Sequence, residues 1–163
     1  MTNKAYVSLG SNLGDRAGNL LLGMRGMLQA HFAITRLSQI YQTEPIETFS
    51  QPLFLNMVAE FSVSDLPAND ALGRLMEIEA ALGRTRVVSK GPRTIDLDLL
   101  FYADETSDTS GLQLPHPRLH QRRFVLVPLA DLDPGLVHPT FNKTVAELLE
   151  IVPDRSRVEL WKP

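Results

Sequence analysis

Nine residues, Thr94-Ile95-Asp96-Leu97-Asp98-Leu99-Leu100-Phe101-Tyr102, constrain this chain more than any other stretch. They alternate with the period of two that a β-strand shows on its faces. Ile95, Leu97, Leu99 and Phe101 fall on one side, which is wholly apolar and belongs to a core. Thr94, Asp96, Asp98, Leu100 and Tyr102 fall on the other. Leu100 and Tyr102 add bulk there, which predicts an inner strand rather than a wet edge. Asp96 and Asp98 share that second face, about 6.5–7 Å apart at strand rise. Two carboxylates so placed repel each other unless a cation sits between them. A solvated strand end is the plain reading of Asp-x-Asp. The functional reading is a hard divalent ion, because Mg²⁺ takes one or two carboxylates plus phosphate oxygens.

The basic residues favour the functional reading. Arg84, Arg86, Lys90 and Arg93 lie close together with no acid among them, and the group runs directly into the strand. Arg118, Arg122 and Arg123, with His116 and His120, form a second acid-free group between Gly111 and Phe124. Cations converging beside a bound divalent ion suit a polyphosphate, whose oxygens the ion and the arginines share. The whole chain carries a net charge of −3, which argues against a nucleic-acid binder. Without cysteine there is neither a disulfide framework nor a thiolate metal site. Met1-Thr2-Asn3-Lys4 is polar and leads straight into strand-like sequence, and no apolar run approaches membrane-spanning length. A cytoplasmic protein with no membrane partner is expected. Its 163 residues suit a single domain over 1–163.

In chain order, Ala5 to Leu9 reads as a first strand, followed by the turn Gly10-Ser11-Asn12-Leu13-Gly14-Asp15-Arg16. That turn lacks the Lys-Ser/Thr ending of a phosphate loop, so capping and close packing are its expected duties. Ala17, Leu20, Leu21, Met24 and Leu28 predict a helix to about His31. Its glycines weaken it by about 1 kcal/mol each relative to alanine, so it depends on packing. Ile34 to Gln42 predicts one strand with a bulge. Thr43–Pro52 is a proline-bounded loop, and Phe54 to Val63 a third strand. Leu55, Met57, Ala59, Phe61 and Val63 form its core face, with Phe54, Asn56 and Val58 opposite. Asn56 serves equally well as a partner to a nearby loop or as a ligand contact.

A helix opens near Pro67 and ends at Gly83, with Leu72, Leu75, Met76, Ile78 and Leu82 as its buried stripe. Glu79 lies within that stripe and needs a partner there, structural or ligand. Arg84–Pro92 is a second, basic loop. Leu112 to Leu114 adds a short strand, and Pro115-His116-Pro117 a rigid elbow. Phe124 to Leu132 is a buried helix or strand complicated by Pro128. Thr144 caps a short helix to Ile151 with Glu147 in a capping box, and Arg157 to Trp161 is a last strand. The order strand, helix, strand, strand, helix, strand is the split βαβ arrangement of a ferredoxin-like α+β fold with a mainly antiparallel sheet. The C-terminal third extends it.

Over nearly its whole length the chain resembles the 6-hydroxymethyl-7,8-dihydropterin pyrophosphokinases of folate biosynthesis. The resemblance rests on Gly10-Ser11-Asn12-Leu13-Gly14, Tyr41-Gln42-Thr43-Glu44-Pro45, Gln51-Pro52 with Phe54-Leu55-Asn56, and Ile78-Glu79 with Gly83-Arg84-Thr85-Arg86. Gly91-Pro92-Arg93-Thr94-Ile95-Asp96-Leu97-Asp98 is the most specific piece. Leu114-Pro115-His116-Pro117-Arg118 and Arg123-Phe124-Val125-Leu126 follow in register. The resemblance implies transfer of a diphosphate from ATP to the pterin hydroxymethyl group, releasing AMP, in a monomer. Asp96 and Asp98 would hold two Mg²⁺ ions, and Arg84 and Arg93 match positions that stabilise the transferring group. Glu79, Arg86, Leu99 (through its backbone), His116 and Arg122 match ATP-binding positions. Phe54 and Phe124 match the aromatic pair around the pterin, Asn56 the side chain reading its amide edge, and Thr43, Pro45 and Ile46 the wall beside it. The two loops would close as lids that keep water out.

The chain departs from the family where Arg-Trp often precedes Gly-Pro-Arg; here the residues are Ser89-Lys90, without a flat stacking surface. Glu44 stands where proline is frequent, which predicts a less stiff first loop. A non-catalytic pterin- or nucleotide-binding module is the first rival reading, and it leaves the paired carboxylates and the arginines without a purpose. An RNA-binding α+β domain is the second. It would want a positive charge and an aromatic open sheet face.

Overall fold

The computed structural model describes residues 3–46, 50–83 and 94–163. In chain order they form β1 (Lys4–Ser11), α1 (Arg16–Gln29), β2 (Ala33–Leu37), β3 (Tyr41–Thr43), β4 (Phe54–Ser62), α2 (Ala68–Ala81) and β5 (Asp96–Tyr102). There follow β6 (Ser107–Thr109), β7 (Leu112–Leu114), a 3₁₀ turn over Leu119–Gln121, α3 (Arg123–Leu132), β8 (Val137–His138), β9 (Lys143–Thr144), α4 (Val145–Ile151) and β10 (Val158–Leu160). The main sheet runs β10-β3-β4-β1-β5, with β2 also paired to β4, and every pairing in it is antiparallel. This is the ferredoxin-like arrangement, with β4 in the middle and β1 between β4 and β5.

Each face of the sheet carries its own core. Val7, Leu9, Leu55, Met57, Phe61, Ile95 and Leu97 pack on one side with Leu20 and Met27 of α1 and Leu75 of α2. Tyr6, Val58, Leu100 and Phe101 pack on the other with Leu126 and Leu129 of α3 and Val145 and Leu148 of α4. Fully burying each such aliphatic side chain contributes roughly 1.5–3 kcal/mol. The predicted alternation of β5 holds as far as Leu99 and then changes. Val7 pairs with Leu99 but Tyr6 with Phe101, so Leu100 is an extra residue. This bulge gives both Leu100 and Phe101 to the second core and returns Tyr102 to the first. Nor is β5 an inner strand, as its bulk suggested. It is the last strand of the sheet, and other elements cover it: the N–H of His116 bonds the Leu100 carbonyl at 2.8 Å.

The predicted strand over Ile34 to Gln42 is two strands. The hydroxyl of Ser38, between them, accepts the Val58 N–H at 2.8 Å, and the expected irregularity lies between Ile34 and Arg36. The helical stripes are rotated from those predicted. On α1 the buried line is Leu20, Gly23 and Met27, while Leu21 and Leu28 are exposed. On α2 it is Ala68, Ala71, Leu75, Ile78 and Glu79, while Met76 is exposed. The cause is the same in both: small residues mark the side of closest approach. A Cβ on Gly26 would stand 2.7 Å from Ile78 Cγ2. The segment from Phe124 resolves as the helix α3, with Pro128 inside it. The Thr144–Glu147 capping box forms as predicted.

Candidate active site

The registers of β3, β4, β1 and β5 place Tyr41, Asn56, Gly10 and Asp96 in one row across the sheet. Residues directly opposite in a sheet share a face, so Asn56 and Asp96 stand on the same side, two strand spacings or about 10 Å apart. Gly10, between them, offers only backbone. A Cβ there would stand 2.5 Å from Asn56 Oδ1 and 3.8 Å from Phe54 Cδ1. The sequence reading assigned Gly10 to a turn. The structure makes it the floor between the two groups of predicted site residues. A glycine ending an apolar strand, with polar positions on its neighbours, was the signal available.

On the predicted pterin side, Asn56, Thr43 and Phe54 come together on β3 and β4. Asn56 is buried and its Nδ2 donates to Thr43 Oγ1 at 2.7 Å, which fixes its amide orientation. Thr43, also buried, pairs with Phe54 across β3 and β4. Phe54 and Phe124 are both half-buried, and Phe124 sits at the start of α3. Arg122 stacks over Phe124, with Cζ 5.6 Å from the ring centre. The C-terminal half of α3 is tied to β3 by Asp131, which accepts the Tyr41 hydroxyl at 2.8 Å. Pro45 and Ile46 follow β3, with Ile46 exposed.

The predicted phosphate side lies on β5 and beyond it. Asp96 and Asp98 are half-buried and face Gly10 and Ser8. The N–H of Leu97 donates to Glu79 Oε2 at 3.3 Å, so the buried Glu79 has a structural partner. Leu99 lies between this bond and the one at Leu100, on the strand's outer rim. A cleft of about 240 Å³ follows that rim, lined by Leu72, Asp98, Leu99, Leu112, Gln113 and His116 among others. Leu72, Leu112 and Gln113 are lining that the sequence reading missed, because it needs the β6–β7 hairpin folded over the rim. His116 is pushed down to about 4 by burial first, then by the Arg122 and Arg118 guanidiniums, against the opposing pull of Asp96. It is therefore neutral near pH 7. Its Nδ1 accepts the Arg118 N–H at 3.2 Å, which leaves the ring proton on Nε2. Arg84, Arg86 and Arg93, and the whole predicted second loop with Ser89-Lys90, lie outside the described residues.

Comparison with known proteins decides the family. The family model for 7,8-dihydro-6-hydroxymethylpterin-pyrophosphokinase (HPPK) matches residues 6–134. The chain belongs to the HPPK family. A 2-amino-4-hydroxy-6-hydroxymethyldihydropteridine pyrophosphokinase of Bacillus subtilis is 40% identical over 164 residues, covering 99% of this chain and 92% of that protein. The folic acid synthesis protein fol1 of Pneumocystis carinii is 39% identical over 149 residues. The match takes in 91% of this chain but 20% of that far longer protein. Among solved structures, wild-type HPPK-DHPS of Plasmodium falciparum with SDX-DHP superposes with a TM-score of 0.70 at 15% identity. It covers 92% of this chain and 44% of that one, and at this identity it speaks for the fold alone. The HPPK signature thus runs through the Asn56–Gly10–Asp96 row and the cleft, and stops short of α4 and β10. Among the described residues no helix is long and apolar enough to cross a membrane.

Proposed function

We propose that this chain transfers the terminal diphosphate of ATP to the hydroxymethyl group of 6-hydroxymethyl-7,8-dihydropterin, a step of folate synthesis. The observation that carries this reading is the Asn56–Gly10–Asp96 row. It sets an oriented amide and two carboxylates on one face, at opposite ends of a bare floor. In the reaction the hydroxyl oxygen bonds to the β-phosphorus and gives up its proton to solvent, the bond from that phosphorus to the α–β bridging oxygen breaks, and AMP leaves.

Asn56 reads the amide edge of the ring, held by Thr43, while Phe54 and Phe124 offer it apolar faces. Thr43, Pro45 and Ile46 form the wall beside it. The backbone of Leu99, beside the cleft, receives the adenine, and Glu79 holds the N–H at Leu97 in place. His116, neutral, donates from Nε2 to a phosphate oxygen, and Arg122 adds its charge nearby. Arg84, Arg86 and Arg93 are assigned to the phosphates on the resemblance of their motif.

The carboxylate pair fits Mg²⁺. Phosphate oxygens would complete the coordination of an ion held by these two carboxylates. Two Mg²⁺ held by Asp96 and Asp98 would neutralise the polyphosphate and acidify the attacking hydroxyl. The reading takes the chain as one domain that works as a monomer. A cytoplasmic setting, where ATP is plentiful, suits the same reading.

The test is nucleotide product analysis with ATP, Mg²⁺ and the pterin. AMP that forms only when pterin and Mg²⁺ are both present is the expected result. ADP would mean single phosphoryl transfer and overturn the proposal. So would ATP binding without turnover, which points to the binding-module reading.

A further inference from the structure

The sequence predicts a less stiff first loop because Glu44 replaces a frequent proline. The structure gives Glu44 a different means of restraint. Its N–H donates to the Arg157 carbonyl at 3.3 Å. The Arg157 N–H donates in turn to Glu44 Oε1 at 2.7 Å. The two bonds form a bracket one residue beyond the ladder that pairs Tyr41, Gln42 and Thr43 with Leu160, Glu159 and Val158. Proline at 44 could make neither bond, having neither the N–H nor the carboxylate. At the other end of the ladder the Trp161 N–H bonds the Ile40 carbonyl at 2.9 Å. Opposite, Arg16 Nη1 reaches Gln42 Oε1 at 3.1 Å and the Leu53 carbonyl at 3.0 Å. The strand being held is three residues long and ends in Thr43, the partner of Asn56. A strand this short has little intrinsic stability, so its position depends on what brackets it. Arg157 lies beyond residue 134, where the family match ends.

We propose that Glu44 is a positioning residue for the pterin-side wall, acting through its bracket to Arg157 in the C-terminal segment. This rests on the pterin site proposed above. Holding Glu44 fixes the point where Pro45 and Ile46 leave the sheet. It also fixes the register of Thr43 under Asn56. The ATP side, on β5 and the cleft, lies across the sheet and does not touch the bracket.

The experiment compares the full chain with Glu44→Ala, Glu44→Gln, Arg157→Pro and the Glu44→Ala/Arg157→Pro double variant. Calorimetric affinities for 6-hydroxymethyl-7,8-dihydropterin and for ATP are measured alongside KM and kcat. Loss of one solvent-exposed hydrogen bond predicts pterin affinity weakened about fivefold in Glu44→Ala, with ATP affinity and kcat unchanged. Glu44→Gln, whose amide oxygen still accepts, restores most of it. The double variant is no weaker than Arg157→Pro alone, because both remove the same bond. Equal loss for ATP and pterin, or unchanged pterin affinity in Glu44→Ala, overturns the proposal while leaving the pterin site standing. A wild-type chain that neither binds pterin nor forms AMP overturns the functional reading, and this proposal with it.

Discussion

At the scale of single residues, the proposed site falls where polar or bare positions interrupt apolar strands. Asp96 stands half-buried at the start of β5, on the face it shares with Gly10 and outside the apolar clusters. Asp96→Ala should therefore leave thermal unfolding within a few degrees of wild type. It should also lower AMP formation by at least about a hundredfold, since charge neutralisation is worth several kcal/mol in phosphoryl transfer. A melting curve and a product assay on the same preparation check both halves. Gly10→Ala makes the complementary case. Its Cβ would press on Asn56 Oδ1, and Asn56 is buried and already bonded to Thr43. Displacing that amide costs about 1–3 kcal/mol, so pterin affinity should fall by about tenfold with ATP affinity unchanged, as calorimetry can show. Asp96 was legible in the sequence because a carboxylate in an apolar alternation needs a reason. Gly10 was not, because its meaning lies in its neighbours across two strands.

At the scale of elements, the sequence read strands better than helix faces, and the reason is steric. Large apolar side chains alone point to Leu21, Leu28 and Met76 as buried, yet all three are exposed. The helices approach the sheet and each other along Gly23, Gly26, Ala68 and Ala71, where side chains are small. Gly26→Ala thus sets a gain in helix propensity of about 1 kcal/mol against a 2.7 Å contact with Ile78 Cγ2. Overpacking costs about 1–3 kcal/mol, so the variant should be less stable. Combining it with Ile78→Ala should cost less than the sum of the two changes in a urea-melt double-mutant cycle. Between β1, β2 and β4 lies a polar cluster that the sequence reading left unmentioned. Glu60, buried, accepts from Arg36 at 2.6 Å, from Thr35 at 2.8 Å and from the Tyr6 hydroxyl at 3.1 Å. Arg36 above all, then Thr35 and Tyr6, hold its carboxyl down at about 2 against the upward push of burial, from an ordinary 4.5. A carboxyl lowered on folding stabilises the native state fully above its unfolded value. That stability should fade as pH drops from about 4.5 towards 2. Glu60→Gln should be weaker at neutral pH and flatter across that window in urea midpoints. An unchanged slope would place the acid sensitivity elsewhere.

At the scale of the whole molecule, the ferredoxin-like core was readable because element order alone prunes the topologies to very few. The place of β5 at the rim was not readable. Its cover comes from the β6–β7 hairpin and the His116 segment, whose docking no local pattern announces. The segment beyond residue 134 proves to be structural on the site face. Val145, Leu148 and Val152 of that segment are buried in the core under α3, the helix that begins with Arg123 and Phe124. A chain ending at residue 134, where the family match stops, would lose those three side chains. That removes roughly 5–9 kcal/mol of burial, against total domain stabilities of about 5–15 kcal/mol. Such a chain should show no cooperative thermal transition by circular dichroism. A sharp transition would mean that residues beyond 134 form a separable unit rather than part of one domain.

The place of β1 between β4 and β5 also has a history in time. Its partners come late in the chain: Lys4 waits for Ser62, and Ala5 for Tyr102. Contacts so distant in sequence bear their loop-closure entropy before any ladder rewards it, which slows folding. On the ribosome, at about 5–20 residues per second, β1 would stay bare on the β5 side for roughly 5–20 s. During that interval its apolar residues and unpaired backbone are open to any other strand nearby. A strand enclosed on both edges in the finished protein is thus a vulnerable one while it is being made.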